Sequence, residues 1–485
     1  FMITNVKKDS YINQDYHPGR NRGAKINHWT RRLIQYTFGL ILLSSFSVFG
    51  QAQTTDSTIA NPHRNALLHA LGQPTFIWAV NWYVLDQIWA DISIQTLQAN
   101  IETGWVWDED GFDVNQLGHP TQGALVYTAA RAQGLGYWES LAYPTLASLI
   151  WEIGMENESP SINDMITTPM SGVAFGEIIH RISVLTLGPG QDKSLARQVL
   201  TGLINPLGYG FNRLVIGESI NQNYRDYPTN FLSGIAIGGG PGYHGDSGVG
   251  NNSQRRFIRF NLIYGNPLAD RKNFKPFDNF SFVTILNFSR RDYVGEIYAS
   301  GLLARLYTRH TDRSKSLVGI FQNYDFMNQD DYKVSSSSVG PGLIHAYAIT
   351  PTLTLGAHAN GSFIFMGSAG DISDDMETRD YHFGQGFSAK FMARFMWAEH
   401  GQAYVRLKRY FIYAMEEVHV EGYENINLLT SGGQFNVGSH YSIGVEYLMA
   451  GRTVSYLDIE RKDTLQRTSL YRVYLAYKLE DSLFK

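Results

Sequence analysis

The feature that most limits what this chain can fold into is a period-two alternation that takes over near residue 228 and holds almost to the C-terminus. In Thr352–Phe365, Leu353, Leu355, Ala357, Ala359, Phe363 and Phe365 fall on one side, while Thr354, Gly356, His358, Asn360 and Ser362 fall on the other. Residues 441–449 repeat the pattern, with Tyr441, Ile443, Val445, Tyr447 and Met449 against Ser442, Gly444, Glu446 and Leu448. The last run sets Tyr471, Val473, Leu475, Tyr477 and Leu479 against Arg472, Tyr474, Ala476 and Lys478. A period of two is the pleat of a strand. An apolar, aromatic-rich side opposite a polar one is the lipid-out, lumen-in pattern of a transmembrane barrel. Similar runs lie near 231–239, 256–264, 279–288, 294–307, 316–324, 339–349, 382–397, 402–415 and 453–460, a count of about twelve. An even count is what single-chain bacterial barrels require. A soluble sandwich or lipocalin-like barrel competes, but strands of about ten residues or more suit a bilayer better. Arg406, Lys408 and Glu446 are expected to meet each other or water in the lumen.

Composition agrees with this reading. Charged residues are 17% and aromatics 13%, with 29 Tyr and 27 Phe, which fits a wall with aromatic girdles. The net charge of -4 leaves no basic footprint, so nucleic acid is excluded as a partner. The chain has no cysteine, which removes disulfides, thiol catalysis, thiolate metal sites and a lipoprotein anchor. Lys25, Arg31 and Arg32 lead into an apolar run from Leu33 to Phe49, followed by small residues at 50–53. That is the form of a cleaved export signal, although the uncharged stretch 33–55 could also serve as an anchor. The expected plan is α+β: a signal peptide over 1–52, a helical domain over 53–227, and a transmembrane antiparallel barrel over 228–485.

The helical third carries the chemistry-bearing residues. Asn61-Pro62 is a cap-plus-proline start, and Gly72 with Pro74 should divide the following segment into two short helices. Pro120 predicts His119 as the cap of a helix ending before a left-handed Gly134. A histidine at that end feels the positive helix dipole, which favours a neutral ring able to take a metal or a proton. A helix from about Trp138 to Ile153, kinked or restarted at Pro144, delivers Glu152, with Glu156 just beyond Gly154. Ser161 to Asp164 reads as a capping box, and Thr168-Pro169 as the start of a last helix. On that helix Gly172 and Gly176 permit close helix approach, and Glu177 can pair with Arg181.

His119, Glu152, Asp164 and Glu177 therefore form a candidate acid/base set, and His119, Glu152 and Glu156 a candidate metal set. The simpler account is that these residues cap helices and pair with Arg131 and Arg181. The chain contains no H-E-x-x-H, G-x-S-x-G or Walker A pattern, so the identity of any cofactor stays open. Asp371–Asp380 begins like a calcium loop, but Met376 stands where such a loop needs glycine, so it reads as a surface loop.

The run VNQLGHPTQGALVYTAARAQG, then WE, PSINDMITTPMSGVAFGE and HRIS, resembles a Gram-negative family known as domain of unknown function thirty-nine forty-three. Residues 203–218 look like its continuation, so the resemblance covers about 60–220. It implies an exported outer-membrane protein with a helical domain ahead of a barrel, and implies no activity. A fainter likeness to VanZ-like helical membrane proteins points to the envelope and its lipids. The helices are expected to plug the barrel or pack beneath it, on the periplasmic side. Three functions compete: a structural or partner-binding envelope protein, a metal- or acid/base-dependent enzyme acting on envelope lipid, and a channel or transporter. Outer-membrane lipid and other envelope proteins are the expected partners.

Overall fold

The computed structural model describes residues 61–108, 110–188, 194–216, 227–244, 253–269, 271, 273–288, 293–328, 332–370, 381–414, 422–456 and 464–479. The expected export signal and the 371–380 loop lie outside the described residues. Twelve strands form a closed antiparallel barrel: β1 (Phe231–His244), β2 (Ser253–Tyr264), β3 (Phe280–Asn287), β4 (Val294–His310), β5 (Ser314–Asn328), β6 (Lys333–Ala348), β7 (Leu353–Gly370), β8 (Tyr381–Trp397), β9 (Gly401–Ala414), β10 (Gly422–Val437), β11 (Tyr441–Tyr456) and β12 (Thr464–Leu479). Each strand pairs with its neighbours in sequence, and β12 closes on β1. The count of twelve holds for a different reason than the sequence pattern suggested. Residues 441–449 and 453–460 were expected as two strands but lie on the single strand β11 as far as Tyr456. The unrecognised strand is β10, where Ser431, Gly432, Gly433 and Gln434 blur the apolar side.

Ion pairs between strands that are not neighbours identify the lumen. Arg259 of β2 reaches Glu446 of β11 at 2.5 Å, Arg472 of β12 reaches Glu296 of β4 at 2.5 Å, and Lys390 of β8 meets Asp325 of β5. Such pairs can form only across the interior. Around them Met327, Ile364, Tyr410, Ile426, Leu448 and Leu470 make an apolar core, so the barrel fills itself with its own side chains. The opposite face of β9–β12 is open, with Val445, Val473 and Leu475 more than half exposed, which is the lipid-facing wall.

The helices do not enter the barrel, nor do they sit beneath it. Asp325 faces the lumen, so by alternation Gln322, Tyr324, Phe326 and Asn328 of β5 face outward. These are the residues the helical domain touches. Gln322 Nε2 donates to the Met170 carbonyl at 2.9 Å, Tyr324 donates to the Gln116 carbonyl, and Asn328 Nδ2 donates to Asp113 at 2.9 Å. Phe112 stacks on Phe326 and Trp107 on Phe383 of β8, with centroids 5.4 and 5.7 Å apart. The expectation of a plug or an underlying domain is therefore replaced by a domain docked on the outer wall. The lumen has no room for it.

The domain comprises α1 (Pro62–Tyr83), α2 (Ile94–Thr103), α3 (His119–Ala132), α4 (Tyr137–Gly154), α5 (Ile162–Leu187) and α6 (Leu195–Ile204). α1 runs through Gly72 and Pro74 as one helix rather than two. α5 likewise runs through Thr168-Pro169, which was expected to begin a new helix. Burial of Pro74 and Pro169 against neighbouring elements outweighs the hydrogen bond each proline removes. α5 lies across the wall, with Ser171 bonded to Ser337 of β6 and Arg181 to Asp278 in the 265–279 turn. α3 and α5 meet through glycine: a Cβ on Gly172 would stand 2.8 Å from the Gly123 backbone, and one on Gly123 2.0 Å from the Thr168 carbonyl. Gly172→Leu should therefore cost about 1–3 kcal/mol by overpacking. Of the nine tryptophans only Trp397 belongs to the barrel region, so urea unfolding followed by tryptophan fluorescence reads the helical domain and checks this value.

Candidate metal centre

The centre forms where three chain segments are forced together. Pro120 has no N–H, so the carbonyl of Gln116 one turn earlier loses its helical partner, and Tyr324 of the barrel supplies a hydroxyl instead. The backbone there widens into a π-turn at Val114–Gly118, with the His119 N–H bonded to the Val114 carbonyl. π-turns of this kind recur at functional sites. His119 is thus not the free cap expected from the sequence, because the helical backbone already runs ahead of it and the dipole argument for its ring does not apply. At the start of α5, Ser161 caps the helix by accepting from the Asp164 N–H at 3.3 Å. A short parallel bridge between Val106 and Ser161 fastens the 105–108 segment alongside.

This arrangement brings together His119, Glu152 and Asp164, whose ligand atoms lie within 4.8 Å of one another. His119 Nε2 stands 3.7 Å from Asp164 Oδ1, too far for a hydrogen bond, while its Nδ1 is paired with the Thr168 hydroxyl at 3.3 Å. Two ligands of one tetrahedral metal, each about 2.1 Å from the ion, stand about 3.4 Å apart, so the spacing suits an ion between them. Asp164 is steadied by Asn163 Nδ2 at 2.9 Å, and Asn163 accepts in turn from Ser161 Oγ and the Asp108 N–H. Asp164 therefore does more than close a capping box. Its carboxylate points to His119 and Asn163.

Glu152 completes the trio. Its Oε2 accepts from the Ser161 N–H at 2.8 Å, its Oε1 is buried and receives no N–H, and the Glu156 carboxyl is within hydrogen-bonding reach of this group. Burial, then the neighbouring Asp164, pushes this carboxyl well above the usual carboxylate range. Glu156 is half-buried and is pushed up likewise by burial and then Glu152. It lies outside the converging trio, so the expected His119–Glu152–Glu156 metal set becomes His119–Glu152–Asp164. A buried, mutually repelling set of carboxyls with one imidazole is the electrostatic form of a cation site.

Glu177 belongs elsewhere. It accepts from Arg131 Nε and Arg181 Nε, each at 2.7 Å, and from the Tyr127 hydroxyl at 2.7 Å. Arg181 continues to Asp278 at 2.9 Å and the Pro276 carbonyl, so this network clamps α3 and α5 to the barrel. The Glu177–Arg181 spacing and Arg131 were visible in the sequence. Asp278, Asn163 and Thr168 were missed, since partners across the fold leave no local signal.

Fold and site together define an outer-membrane type of β-barrel with an acid-rich helical domain fixed to its wall. Residues 104–207 match the family model described as a domain of unknown function (DUF3943), a stretch that includes the whole His–Glu–Asp centre. No curated protein matches the chain. Among solved structures, the NanC porin is 11% identical, with 50% of this chain and 100% of the porin covered at a TM-score of 0.27. The outer membrane channel DcaP of Acinetobacter baumannii is 9% identical, covering 51% and 95% at 0.23. The Pseudomonas putida toluene transporter TodX is 9% identical, covering 51% and 88% at 0.22. Likeness at this level says nothing of activity.

Two outcomes follow. Glu177→Ala leaves two buried arginines without their shared partner and should destabilise the helical domain by about 3–5 kcal/mol in the same fluorescence assay. Glu152 has a raised folded-state carboxyl, so without metal its contribution is fully present below the unfolded value of about 4.3 and is lost as pH rises through the folded value. Metal-free Glu152→Gln should accordingly be more stable than metal-free wild type above that window, and equal to it in acid.

Proposed function

We propose that this chain is an outer-membrane β-barrel protein whose wall-docked helical domain holds a divalent metal at His119, Glu152 and Asp164 and acts on an envelope lipid. The observation that carries the reading is the convergence of His119, Glu152 and Asp164, whose ligand atoms lie within 4.8 Å of one another beside a buried carboxyl. A bound divalent ion would supply Lewis acidity and a low-pKa water. Around it, Thr168 fixes the His119 ring through Nδ1 and Asn163 fixes Asp164, while Glu156 is the nearby carboxyl able to carry a proton. Lipid as substrate is supported by position. The domain lies on the face of β4–β8 that would otherwise meet lipid, and it exposes apolar side chains of its own, among them Leu68 and Phe76 on α1 and Leu195 and Leu203 on α6. Export with a cleaved signal peptide belongs to the same proposal, supported by the 25–53 pattern.

A second reading, a structural or partner-binding envelope protein, is favoured by the Glu177 network, whose only evident task is to hold domain and barrel together. A channel is disfavoured by the ion pairs across the lumen. The metal content of detergent-purified wild type beside His119→Ala and Asp164→Asn separates the first two. About one metal per chain in wild type, lost in both variants while tryptophan fluorescence stays native, is the expected result. No metal in wild type purified without chelator and offered zinc or manganese would overturn the enzyme reading.

A further inference from the structure

A second feature lies on the opposite side of the barrel, and it does not depend on the metal reading. On the lipid-facing side of β8–β12, Ala389, Arg409, Asn427, Gly451 and Arg467 stand in register at one level. Phe391, Leu407, Leu429 and Met449 form the next level on the same face, and the two rows line one groove. Strands are about 4.8 Å apart, so the two arginine backbones, three strands from each other, are separated by about 14 Å. Between them the wall is low: a Cβ on Gly451 would meet nothing within 4 Å. Arg409 and Arg467 are exposed at the edges of this trough, over an apolar floor.

The level of the trough in the membrane follows from the loops. Apart from the 265–279 connection, which carries Asp278 to the helical domain, the turns at that end (311–313, 349–352, 398–400 and 438–440) are short, and the connections at 371–380, 415–421 and 457–463 at the other end are longer. Short turns mark the periplasmic end of outer-membrane barrels and long loops the outer one. Arg409 lies in the half of β9 leading to 415–421, one outward position before Phe411, which stacks on Tyr423 with centroids 5.3 Å apart. Aromatic pairs of this kind mark the interface, so the arginines stand at headgroup depth. Arg409 Nη2 donates to Asn425 Oδ1 at 3.3 Å, and a guanidinium carries five N–H donors, enough to keep a neutral partner and still meet phosphate in a bidentate fork.

We propose that this trough binds a lipid bearing two phosphates, one on each of Arg409 and Arg467, with its acyl chains over the Leu407–Leu429–Met449 floor and its headgroup in the space above Gly451. Cardiolipin, with two phosphates, is the probe. Full-length protein is exchanged into mixed micelles with cardiolipin or phosphatidylcholine, and retained lipid is counted by native mass spectrometry. Wild type should retain cardiolipin over phosphatidylcholine. Arg409→Gln and Arg467→Gln should each weaken retention by about tenfold, the scale of one lost charge-assisted contact. Gly451→Leu keeps both charges, fits without clash and fills the trough, so it should weaken retention as well. Equal retention of both lipids by wild type would overturn the proposal. So would loss in the arginine variants with none in Gly451→Leu, which would place the lipid elsewhere on the wall.

Discussion

The structure depends on one property of the strand, that successive side chains face opposite surroundings. β5 uses it to the limit. From Gln322 to Asn328 every residue is buried, yet the seven residues belong to two different interiors. Asn323, Asp325 and Met327 serve the barrel core, where Asn323 bonds to Asn360 and Asp325 takes Lys390. Gln322, Tyr324, Phe326 and Asn328 serve the helical domain. A slip of one residue would exchange the two sets, aiming Asp325 at the helices and Phe326 at the lumen charges. The cross-lumen ion pairs and the helix contacts therefore hold the same register from both sides.

The candidate metal centre follows from that docking. Tyr324 answers the carbonyl that Pro120 leaves unpaired, which lets the backbone ahead of His119 widen into a π-turn. Gly123 and Gly172 bring α3 against α5 closely enough for His119 to face Asp164. The Glu177 network is the second fastening, farther along α5, where a charge shared by two arginines ties both helices to the 265–279 turn. Barrel and domain are thus coupled at both ends of the helix. One end carries the candidate metal ligands and the other bears load.

Much of this was legible in the sequence. Alternation marked the barrel, and the strands at 352–365, 441–449 and 471–479 face as their patterns required. His119, Glu152 and Asp164 stood out because a proline, a glycine and a serine cap beside them fixed where their helices begin and end. What the sequence hid was tertiary. β10 was hidden because its polar and glycine residues carry no contrast, and the continuity of α1 and α5 because packing overrides proline. The outer-wall docking was hidden because buried polar residues such as Gln322 and Asn328 look the same whether they face a lumen or a partner surface. Only the ion pairs across the barrel reveal which side is which.

The most direct test of the account is a pair of engineered disulfides, made simple by the absence of cysteine. Ser171 Oγ bonds to Ser337 Oγ on the outward side of β6, whereas Ser336 bonds to the lumen residue Asp325 at 3.4 Å. Ser171→Cys with Ser337→Cys should oxidise to a cross-linked chain in the intact membrane, and Ser171→Cys with Ser336→Cys should not. The opposite result would place α5 inside the barrel, and the wall-docked account of both domain and metal centre would fail.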